Sequence, residues 1–132
     1  MARRRSSLGF LGLFGRSSDL RELDGALRAV DLHPALVPEG VKLTMVNLMK
    51  DHWPDEPPVS AYAPIAQLFG YCIADADAFA DANGGDMTQR VEHRIEAALE
   101  AEESFDAQII LLALHAKLIN PDVVERFGLS AG

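Results

Sequence analysis

Between Thr88 and Ile119, apolar side chains recur at Val91, Ile95, Ala98, Phe105, Ile109, Leu112, Ala116 and Ile119. Counting Glu102 in the one vacant place, the gaps alternate four and three, which sets the whole series on one face of a helix. A straight helix of that length would run about 45 Å, at 1.5 Å per residue. The rest of the chain, or a second copy of it, must therefore pack along that face. Glu92, Glu96, Glu100, Glu102 and Glu103 lie on or beside the outward side of the first half. Ile109 to Leu114 is apolar nearly all round, the pattern of an enclosed helix. The run Glu102-Glu103-Ser104-Phe105-Asp106 leaves two readings open. The helix is continuous, or Ser104 caps a second one.

The remaining punctuation is also helical. Leu20, Leu23, Leu27 and Val30 form a stripe that follows Ser17 or Ser18 as cap, and His33-Pro34 closes it. Pro38 and Glu39 open a second helix with Val41, Met45, Leu48 and Met49 inward. Pro64 stands in the first turn of a third, whose stripe is Ile65, Leu68, Phe69, Cys72, Ile73 and Ala76. Helical character is expected to continue through Ala78. Asn83-Gly84-Gly85 is a stop, and Asn120-Pro121 starts a short final helix that Gly128 ends. No segment switches to a period of two. The expected fold is all-α, a compact bundle of five or six helices built around a long C-terminal helix or a broken helix pair. Residues 18–132 form the single helical domain, and residues 1–17 a flexible basic and apolar arm.

With 132 residues, 48% of them hydrophobic but only 7% aromatic, the core is aliphatic and rich in alanine. The net charge of -8 is unevenly spread. Residues 1–28 carry +3 and residues 29–132 carry -11. An acidic body repels phosphate backbones, which excludes broad nucleic-acid binding. A single cysteine, Cys72, allows no intrachain disulfide and fits a reducing, cytoplasmic setting. The arm sets Arg3, Arg4 and Arg5 before Leu8, Phe10, Leu11, Leu13 and Phe14. Its apolar run is too short to cross a bilayer and lacks a cleavage pattern. Three roles suit it: a plain tail, an arm that docks on protein through Phe10, Leu13 and Phe14, or a membrane-surface foot formed by residues 3–14.

Chemistry is thinly marked. Counted from Asp81, a calcium-like loop offers oxygen at Asp81 and Asn83 and a glutamate at Glu92, in the twelfth place. Gly85 then fills the fifth place, where a ligand is needed, and Asp86 the sixth, where glycine is needed. Glu92, Glu96 and Glu100 share a helix face with His93 beside them, but the Glu-x-x-His spacing of a di-iron site is missing. A loosely held divalent cation is the most this region suggests, and no cofactor motif is present. A pocket between helices could combine Cys72, Tyr71 and His115, with His115 in the most apolar segment and able to reach Tyr62 or Tyr71. Trp53, between His52 and Pro54, is either a lid on the bundle or a rigid anchor for a partner. The leading expectation is a non-enzymatic protein-interaction domain that forms a homodimer or binds another protein. A small-molecule or metal-binding domain, with an enzyme using a pocket between helices as one form of it, and a peripheral membrane protein are the alternatives.

Overall fold

A computed structural model describes residues 9–55 and 57–129 of the chain, with side chains from Ser18 onward. Among the described residues seven α-helices follow one another: α1 Gly9–Ala29, α2 Glu39–His52, α3 Tyr62–Ala74, α4 Ala76–Asn83, α5 Gly85–Glu100, α6 Phe105–His115 and α7 Pro121–Phe127. Single 3₁₀ turns at Pro34–Leu36 and Val59–Ala61 lead towards the second and third helices, and no strand occurs among the described residues. The all-α expectation holds.

The 88–119 stretch is two helices. Ala101–Ser104 forms a turn, and the Ser104 hydroxyl caps α6 by accepting from the Ala107 amide at 3.2 Å. Glu102 stands in that turn, which is why the apolar series has a gap there. The bidentate pair of Arg94 with Asp106 spans the break, at 3.1 Å to Nε and 2.9 Å to Nη2. A third Arg94 nitrogen, Nη1, donates to the Pro64 carbonyl at 2.9 Å, so one side chain ties α5, α6 and the start of α3 together.

The centre of the bundle is α3, which packs against α1, α4, α5 and α6. Eight of its thirteen residues are buried, among them Leu68, Phe69, Tyr71 and Cys72. A helix apolar on every side belongs inside, since no face of it gains from water. Gly70 permits close approach there: a Cβ at that position would sit 3.0 Å from Val30 Cγ2.

Two further breaks differ from expectation. The third helix stops at Ala74, because Asp75 takes φ 83° and its carboxylate caps α4, accepting from the Ala78 amide at 3.0 Å. The first helix begins at Gly9, so Ser17 and Ser18 lie inside it instead of capping it. It ends at Ala29, before His33-Pro34. Asp31, at φ 65°, brings the Leu32 amide to the Leu27 carbonyl, which satisfies the last turn. Lys117, at φ 60°, closes α6 with the same bonding pattern. The stops at Gly84 and Gly128 and the Asn120 cap fall where the sequence places them.

Candidate interaction surface

Trp53 follows the last residue of α2, its amide donating to the Met49 carbonyl at 2.8 Å. Beyond it the loop carries Pro54, Pro57 and Pro58, whose fixed φ angles limit the backbone's freedom. The Trp53 ring meets Phe105 edge to face at 5.5 Å, and His52 lies 4.5 Å from Trp53 and 5.0 Å from Phe105. Trp53 and Phe105 are half-buried and His52 is exposed. Three rings, from the last residue of α2, the residue after it and the first residue of α6, thus make one wall.

That wall borders an open groove of about 510 Å³, whose lining also includes Ile65 and the Arg94–Asp106 pair. Because Arg94 and Asp106 neutralise each other, the groove is apolar with one fixed ion pair. Acidic residues lie within two positions of its lining along the chain. Asp51 and Asp55 flank the Trp53 turn, Glu102 and Glu103 precede Ser104, and all four are exposed. Trp53 was legible as a possible anchor. Phe105, Arg94 and Asp106 were not, since nothing in the local sequence says that residues 53 and 105 meet.

The other candidate residues are dispersed. Cys72 is buried and burial pushes its thiol up to about 12, so it is a protonated core side chain at neutral pH. Its carbonyl accepts from the Asn120 amide at 2.7 Å, which fixes the start of α7. Tyr71 is also buried, and its hydroxyl donates to Glu92 at 2.7 Å. Burial first, then the hydrogen bond and negative charge of Glu92, hold its phenol well above the ordinary tyrosine value. His115 is a correction. It is exposed at the end of α6, while the Tyr62 hydroxyl donates to Asp19 at 3.0 Å and that of Tyr71 to Glu92. The expectation of enclosure failed because α6 has an outer face, on which Leu111 is 37% exposed. No Cys72–Tyr71–His115 pocket forms.

Nor do the four candidate metal ligands share a task. The Asn83 amide donates to the Val30 and Phe79 carbonyls at 3.0 and 3.2 Å, joining α4 to the end of α1. Glu92 serves Tyr71 and pairs with Arg126 at 3.1 Å, so it is a buttress for α7 rather than part of an outward carboxylate row. Asp81 and Glu96 are exposed. Among the described residues no group of three or more His, Cys, Asp or Glu side chains is placed to hold a metal ion.

Phe10, Leu13 and Phe14 lie in α1, but their side chains are outside the described set, and Arg3–Arg5 and Leu8 lie outside the described residues altogether. None of the described helices is long and apolar enough to cross a membrane. Set against family models, curated proteins and solved structures, the chain matches none of them.

Proposed function

We propose that this chain is a helical protein-interaction domain that self-associates, with the Trp53 groove as its contact surface. The observation that carries the reading is the aromatic wall of exposed His52 with half-buried Trp53 and Phe105, Trp53 leading into a proline-stiffened loop. Rigid aromatic side chains in a preformed groove lose little freedom on binding, and such residues dominate the energetics of protein contacts. The Cys72 thiol and the Tyr71 phenol are committed to the core, which favours a binding role over a chemical one.

Native mass spectrometry and sedimentation of the full chain, purified without chelator, test this reading. The expected result is a species near twice 14.3 kDa carrying no added mass. A monomer at every concentration overturns self-association. A stoichiometric metal or small molecule on the protein overturns the interaction reading itself.

A further inference from the structure

If the chain self-associates as proposed above, the groove needs an occupant whose chemistry is the inverse of its own. It presents aromatic and aliphatic side chains, and within two positions of its lining along the chain stand exposed Asp51, Asp55, Glu102 and Glu103, which give it an acidic rim. Arg94, the cation among its described lining residues, is already paired with Asp106. The complementary segment is an apolar one with positive charge at its end and no acid of its own.

The chain contains such a segment. Residues 1–18 hold four arginines and no acid, and Arg3, Arg4 and Arg5 lead directly to Leu8, Phe10, Leu11, Leu13 and Phe14. Every acidic residue of the protein lies at Asp19 or beyond. We propose that residues 3–14 of one copy occupy the Trp53 groove of a second copy, reciprocally about a two-fold axis, with the arginines facing the acidic rim.

The fold places Asp19 of α1 beside the groove. Asp19 accepts from Tyr62, the neighbour of groove-lining Ala61, and pairs at 3.4 Å with Lys50, two residues from His52. Because α1 is one helix from Gly9, its axis carries Gly9 about 15 Å beyond Asp19 at 1.5 Å per residue. Residues 10–14 therefore continue along that axis. A single two-fold contact brings two such segments and two such grooves together, which is the self-complementary arrangement of a closed dimer.

Sedimentation velocity on the full chain, at low and raised salt, tests the pairing. Changing Arg3, Arg4 and Arg5 together to Glu weakens the dimer about tenfold or more, and so does Glu102→Arg with Glu103→Arg. Combining the two sets restores affinity toward wild type, because the charges are merely exchanged. All of these side chains are surface or terminal, so loss of folding does not confuse the result. Trp53→Ala weakens the dimer about thirtyfold or more. Mixed with a Phe10→Ser/Phe14→Ser variant, it regains a heterodimer with one intact contact, which neither variant forms alone. A dimer indifferent to the rim reversal, or one that the exchanged charges fail to rescue, overturns this pairing but leaves self-association standing. A wild-type chain that stays monomeric overturns both. If that monomer also sediments with anionic vesicles through Arg3–Arg5, the segment belongs to a lipid surface instead.

Discussion

Helices α3 and α5 touch each other, yet they stand in opposite relations to solvent. In α3, eight of thirteen residues are buried, and they include neighbours in an unbroken run from Leu68 to Cys72. In α5, four of sixteen are buried, Thr88, Val91, Ile95 and Ala98, set three or four apart along one line. A clear three-four rhythm exists only where the other side of a helix meets water. The most regular pattern in the chain therefore marks a helix at the edge of the bundle, and the helix at the centre has the flatter pattern. The 88–119 stretch looked like the organiser because periodicity is easy to see. Burial all round leaves no period to find.

Core truncation separates the two helices most sharply. Phe69→Ala in α3 should destabilise by about 3–5 kcal/mol, while Ile95→Val in α5 should cost about 0.5–1.5 kcal/mol. Chemical denaturation of the two variants checks the order. Equal losses would mean that α3 has no privileged position.

Alkaline pH probes the same contrast through ionisation. Tyr71 and Cys72 are buried, and both are held above their ordinary values, the thiol at about 12. Unfolding exposes them with ordinary values of 10.0 and 9.0, so the unfolded chain gives up protons that the native one keeps. Their contribution is present in full below those ordinary values and is lost as the pH rises from about 9 through about 12. Urea midpoints should fall across that window. Tyr71→Phe should flatten the fall, at the separate expense of the bond to Glu92. An unchanged slope in Tyr71→Phe would show that the phenol is not the group responsible.

The smallest effect compares one substitution at two glycines. At exposed Gly25 in α1 an added Cβ meets nothing within 4 Å, so Gly25→Ala should raise stability by about 0.5–1 kcal/mol through helix propensity and reduced freedom in the unfolded chain. At Gly70 the same methyl lands 3.0 Å from Val30 Cγ2 and 3.5 Å from Phe79, and crowding should offset the gain. Thermal melts giving Gly70→Ala the larger benefit would argue against close packing at the centre.

Legibility followed the locality of the interaction. The stop at Asn83-Gly84-Gly85, the Asn120-Pro121 start and the Gly128 end were readable because each is decided by the backbone chemistry of a few adjacent residues. Asp31, Asp75 and Lys117 also turn the chain through left-handed φ, yet none of them is glycine. Such residues adopt that conformation at a cost, and the surrounding packing holds them there. The candidate site divides in the same way. Trp53 could be singled out by its place between His52 and Pro54, whereas its partner Phe105 was read only as one more core position.

The sequence by itself determined that the chain is helical and aliphatic inside, and it located the breaks made by glycine, proline and asparagine. These follow from side-chain pattern and local backbone preference. Only the tertiary structure decided that α3 is the hub, that His115 faces outward, and that Glu92 serves Tyr71 and Arg126. It alone joined Arg94 to Asp106 across the broken helix pair and set Trp53 against Phe105. Those pairings depend on which faces of separate helices meet. That is settled by the simultaneous packing of all seven, and no short window of residues contains it.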